Sequence, residues 1–90
     1  MDPILIKARD EVLRLLEIDA QSCVFNTEDV VHQLIDFYQH LWVIYGGDEE
    51  LMQHWLKTGN RHLGYTPILR VSQPFYLSEM VDYLAQFRWY

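Results

Sequence analysis

Apolar residues recur along this chain at intervals of three and four, the spacing that places them on one face of an α-helix. Asp2 followed by Pro3 is an N-cap with proline at the first helical position, and Leu5, Ala8, Val12, Leu15 and Leu16 predict a first helix over residues 3–17. Residues 18–25 have mixed polarity and no period, which predicts a connector. Asn26 or Thr27 then caps a second helix with Glu28 and Asp29 in its first turn, where carboxylates complement the helix dipole. Its inward stripe is predicted as Val31, Leu34, Ile35, Tyr38, Leu41, Trp42 and Tyr45, and Gly46-Gly47 predicts its C-cap and turn. Asp48 caps a third helix with Leu51, Met52, Trp55 and Leu56 facing inward, and Gly59 is placed to stop it in a left-handed conformation. Thr66-Pro67 opens a short helix through Ile68, Leu69 and Val71; Pro74 interrupts the chain, and a last helix turns Leu77, Met80, Val81, Leu84 and Phe87 to one side.

The pattern predicts an all-α, single-domain bundle of about five helices. Residues 1–25 supply an N-terminal helix and connector, and residues 26–90 supply the rest of the same folding unit. Ninety residues suffice for one modest core. Beside the main stripe of the second helix, Val30, Phe37 and Ile44 recur every seven residues and widen its apolar arc. Either this helix is central and nearly surrounded, or these three residues form a dimer or partner interface.

Composition narrows the function. Half of the residues are apolar and the net charge is −6, with thirteen acidic residues against seven basic ones. Phosphate neutralisation drives nucleic-acid affinity, so an acidic chain with scattered Lys and Arg is not expected to bind DNA or RNA, and a basic protein surface is the more natural partner. No apolar run approaches the ~20 residues of a membrane span. Residues 1–3 have an acidic side chain where a signal peptide would carry positive charge, and Cys23 is a single cysteine, so a cytoplasmic location is expected.

Catalytic patterns are missing. Cys23 has no neighbouring His, and no phosphate-cradling glycine loop or paired-ligand metal spacing occurs, so no enzyme activity and no cofactor are expected. His32, Asp36 and His40 share a face of the second helix, but that face is opposite the apolar stripe and reads as solvated polar surface rather than a metal site. A recognition helix for DNA is excluded by the same helix having no Arg or Lys on its polar face. Trp89 and Tyr90 at the chain end either fold back on the core or insert into a partner.

The run Tyr45-Gly46-Gly47-Asp48-Glu49-Glu50, then Trp55-Leu56, Thr58-Gly59-Asn60, Leu63-Gly64 and Thr66-Pro67-Ile68, resembles the toxin-binding domain of the Xre/MbcA/ParS antitoxins over residues 26–87. The resemblance implies a helical bundle that dimerises and a non-enzymatic, antitoxin-like function: binding and blocking a RES-type toxin that consumes NAD by ADP-ribosyl transfer or phosphorolysis. Family members cover the toxin active site with C-terminal segments. Only one helix and a connector precede Asn26, so the helix-turn-helix that often accompanies this domain is expected to be missing or reduced. Trp55, Leu56, Leu63 and Pro67 are then core anchors for a displayed turn over residues 57–62. The expected toxin-binding residues are Asn60, Arg61, His62, Tyr65, Arg70, Arg88, Trp89 and Tyr90, chosen as the aromatic, Arg and polar groups in the turn and tail. A DNA-binding regulator using the first helix, and an adaptor domain without a toxin, are the alternative readings.

Overall fold

A computed structural model describes residues 1–19 and 25–87. Among them are four α-helices, α1 (Pro3–Leu15), α2 (Glu28–Tyr45), α3 (Glu49–Lys57) and α4 (Pro74–Ala85), with a single 3₁₀ turn (Pro67–Leu69) before α4. The all-α expectation stands at that level, but the fifth helix is one 3₁₀ turn. Thr66 makes no side-chain cap there, and the amides of Arg70 and Val71 already close on the carbonyl of Pro67. The three expected caps do form: Asp2, Thr27 and Asp48 accept from the amides of Ile4, Val30 and Leu51.

α2 is the central element and packs against α1, α3 and α4. Being surrounded decides which of its residues are inside. Val31, Leu34, Phe37 and Leu41 are fully buried, whereas Trp42, expected inside, is 49% exposed. Phe37 sits 5.9 Å from the Trp55 ring, and Val30 and Ile44 pack against the core. Of the three residues Val30, Phe37 and Ile44, Phe37 is enclosed within the bundle, as the central-helix alternative has it, while Val30 and Ile44 stay half-buried at its edge.

Two chain reversals differ from expectation. α1 stops at Leu15, and Glu17 takes a left-handed backbone with φ 56°. The amide of Ile18 then bonds the carbonyl of Leu13 at 2.9 Å and that of Glu17 bonds Arg14 at 3.2 Å, a Schellman ending with Glu where Gly is usual. The turn swings Ile18 back beside Leu13, and both are buried although neither was assigned to the core. Arg9 fixes the far end of the connector by donating to the Phe25 carbonyl at 3.0 Å, and Phe25 is buried too. α3, for its part, does not end on a left-handed Gly59. Its cap is Thr58 in extended conformation, whose hydroxyl donates to the His54 carbonyl at 2.7 Å.

The turn between α2 and α3 follows expectation, with Gly46 at φ 62° and Gly47 at φ 79°. A Cβ at Gly47 would lie 3.0 Å from the Trp42 indole, whereas one at Gly46 would meet nothing within 4 Å. Both substitutions by Ala bear the left-handed backbone cost of roughly 1–2 kcal/mol, and Gly47→Ala must also displace the indole. Urea unfolding is expected to rank Gly47→Ala below Gly46→Ala, and equal midpoints would show that the ring moves freely.

Among the described residues no helix is long and apolar enough to cross a membrane.

Candidate functional site: a stapled turn on an aromatic hub

Residues 58–66 form a closed turn. Asn60 pairs with Tyr65 in an isolated β-bridge, the Asn60 amide donating to the Tyr65 carbonyl at 3.1 Å and the Gly64 amide to the Asn60 carbonyl at 2.8 Å. The Asn60 side-chain oxygen accepts from the amides of His62 (2.9 Å) and Leu63 (3.1 Å). That is an Asx arrangement, in which a short polar side chain substitutes for a backbone turn. Gly64 supplies the positive φ of 85° that the reversal requires. Asn60 therefore builds the turn with both its backbone and its side chain.

The turn lies across α4 and grips it at two points. His62 stacks on Tyr83 at 6.1 Å and 27°. One loop-width away, the Tyr65 hydroxyl donates to Glu79 Oε1 at 2.6 Å, and its ring meets Tyr76 edge-on at 5.2 Å. Burial, then the bond to Glu79, pushes the Tyr65 phenol well above its usual range, so it stays a donor at every physiological pH. Leu56 and Pro67 are buried, with Trp55 and Leu63 packed against the core, so the turn stands on anchored ends.

Tyr76 is the hub of the surface that results. Besides Tyr65, it contacts Phe75 at 5.2 Å, and the Arg70 guanidinium lies over its ring at 4.8 Å, a cation–π distance. Leu69 and Phe75 flank this cluster at 73% and 71% exposure. Gly59, Asn60, Arg61, Gly64, Tyr65 and Thr66 enclose a shallow depression of about 350 Å³ beside it. Along the chain the residues from Leu51 to Ser78 include no carboxylate, against Lys57, Arg61 and Arg70, and Glu79, which accepts from Tyr65, is the acid that meets the turn. Lys57 is held away on Glu17 at 3.3 Å, which leaves Arg61 and Arg70 at the site.

Five of the expected binding residues are thus brought together: Asn60, Arg61, His62, Tyr65 and Arg70. Arg61 and His62 are exposed, and Tyr65 and Arg70 are half-buried on the aromatic cluster. Arg88, Trp89, Tyr90 and Cys23 lie outside the described residues. Sequence reasoning missed Phe75, Tyr76 and Glu79, and it placed Leu69 in a short helix without marking it as exposed. The signal that finds them is the proline at position 74, which starts α4 and places the next two side chains, both aromatic, in a first turn facing the preceding loop.

His32 and Asp36 are exposed on α2 and His40 is half-buried. Among the described residues no group of three or more His, Cys, Asp and Glu is placed to hold a metal ion. Ile44 and Tyr45 line a separate apolar cleft of about 190 Å³ with Trp55, Tyr83, Leu84 and Phe87.

No protein-family model, curated protein or solved structure matches the chain.

Proposed function

We propose that this protein is a non-enzymatic, antitoxin-like binding module that uses the stapled turn and the Tyr76 cluster to engage and block a RES-type, NAD-consuming toxin. The observation that carries the binding reading is the pair Leu69 and Phe75, left roughly three-quarters exposed beside Arg70 on a cluster ordered by Tyr65 and Tyr76. Interfaces draw their energy from aromatic and Arg anchors that are already positioned, because little conformational freedom is then lost on association. Asn60 and Glu79 do that positioning here, from inside the turn and from α4. The toxin assignment rests on the sequence resemblance, and the exposed Leu69 and Phe75 beside the Arg70–Tyr76 contact support a binding face.

Co-expression with a toxin encoded beside it tests the proposal. Restored growth together with a complex that survives gel filtration is the expected result. Growth arrest with no complex would overturn it, and a complex with a neighbour-encoded protein that is not toxic would identify an adaptor instead. Retarded DNA migration at physiological salt would favour the regulator, against the charge of the chain.

A further inference from the structure

The molecule has a second surface of opposite character. Between Arg14 and Lys57 the sequence carries eight carboxylates and not one Lys or Arg. On the outer side of α2 and the start of α3, Glu28, Asp29, Asp36, Asp48, Glu49 and Glu50 are all exposed. None of the six takes part in an ion pair among the described residues.

An apolar groove of about 290 Å³, lined by Tyr38, Gln39, Trp42 and Val43, opens within this acidic side. Trp42 is 49% exposed and Val43 36%. The indole is backed by the α2–α3 turn, where the backbone of Gly47 approaches so closely that a Cβ would stand 3.0 Å from the ring, so one side of the ring is covered and the other faces outward. Tyr38 closes the other end. Burial, then the Glu49 and Glu11 carboxylates, push its phenol upward. Arg14 engages Glu11, while Glu49 has no such partner among the described residues.

We propose that this groove docks a basic segment of a partner protein, with one bulky apolar side chain seated between Tyr38 and Trp42 and Lys or Arg on either side of it meeting the carboxylates of α2 and α3. The volume sets the size of the anchor: small-molecule sites run to about 300–1,000 Å³, and this groove accepts little more than one side chain. Charge sets the class of partner. A second copy docked groove to groove would bring the same carboxylates face to face, and like charges across an interface oppose association. A nucleic acid is repelled for the same reason. The helix-in-groove mode, with an apolar anchor flanked by complementary charge, matches both requirements. This surface is independent of the turn and its proposed toxin.

The test titrates the whole chain against a fluorescein-labelled amphipathic peptide that has Leu at positions i and i+4 flanked by Lys and Arg. Its counterpart with every Lys and Arg replaced by Glu serves as comparison, and both are read by anisotropy. The basic peptide is expected to bind and to weaken as salt rises from about 50 to 500 mM, since exposed charge pairs are screened. Trp42→Ala and Asp36→Lys are each expected to weaken it about tenfold or more, as loss of a central anchor or of complementary charge does. Arg61→Glu is expected to leave it unchanged, which separates this surface from the turn, and circular dichroism of each variant verifies the fold. Equal binding of the two peptides, full binding by Trp42→Ala, or no binding of the basic peptide at low salt would each overturn the proposal. So would self-association of the free chain that Trp42→Ala abolishes, because the groove would then belong to a second copy.

Discussion

Phe37→Ala is expected to leave the chain largely unfolded at room temperature. Phe37 is fully buried, on the helix that contacts each of the other three, with its ring 5.9 Å from Trp55. Truncating a buried Phe costs about 3–5 kcal/mol, the sum of lost transfer energy and of the cavity that a packed interior fails to fill. Whole domains have only about 5–15 kcal/mol, and one of this size sits toward the lower end. α2 cannot shift to close the cavity without losing contact with α1 or α4, so relaxation recovers little. Loss of helical circular dichroism, or a urea midpoint near zero, is the expected result. Trp42→Ala on the same helix is the comparison: it removes a larger side chain from a half-exposed position and should cost far less. Were the two variants equally stable, or their order reversed, the placement of Phe37 inside and Trp42 outside would be wrong.

That pair also shows how far the sequence pattern reaches. The period of α2 is legible, and so are its caps Thr27 and Gly46 and the α3 cap Asp48, because each acts through bonds to residues within four positions. The centre of its buried arc is not legible in the same way. Apolar residues cover most of the helix surface, and a stripe through Tyr38, Trp42 and Tyr45 fits a period of 3.6 as well as one through Leu34, Phe37 and Leu41. The choice is made by three neighbours that converge on α2 from elsewhere in the chain. Ile18 and Leu13 were missed for a related reason. The reversal at Glu17 uses a residue type that rarely adopts positive φ, so nothing in the sequence marks a Schellman ending there.

The candidate site divides along the same line. Asn60 was readable because an Asx turn is local chemistry. The displacement of the left-handed glycine from position 59 to position 64 was not, because Thr58 ends α3 in extended conformation, bonding the carbonyl of His54, and Gly59 takes no left-handed backbone. Tyr76 as a hub was hidden altogether. Its partners Tyr65 and Arg70 stand on either side of the 3₁₀ turn, and only the fold brings them onto one ring. Net charge hides an uneven distribution in a similar way: the total is −6, yet the run from Leu51 to Ser78 has three Lys or Arg and no carboxylate.

The second large effect is expected in binding rather than in stability. Leu69→Ala and Phe75→Ala, made together, should leave the unfolding midpoint nearly unchanged, since substitutions at exposed positions stay within about 0.5 kcal/mol. Single exposed hydrophobic residues are ordinary on any protein surface, and Ile4, 76% exposed on α1, is one. Leu69 and Phe75 differ in their setting. Arg70 and Tyr76 are ordered between them, so a partner that covers both apolar groups also desolvates a guanidinium already placed over a ring. Anchors in that situation are worth at least about 2 kcal/mol each, and 1.4 kcal/mol is a factor of ten, so the pair should weaken the complex by several hundredfold or more. Ile4→Ala should leave it intact. Isothermal titration with the purified partner reads all of this directly. If the double variant binds as tightly as the parent, the aromatic cluster is not the docking surface. If Ile4→Ala weakens binding as much, exposure alone rather than the ordered setting is what the partner reads.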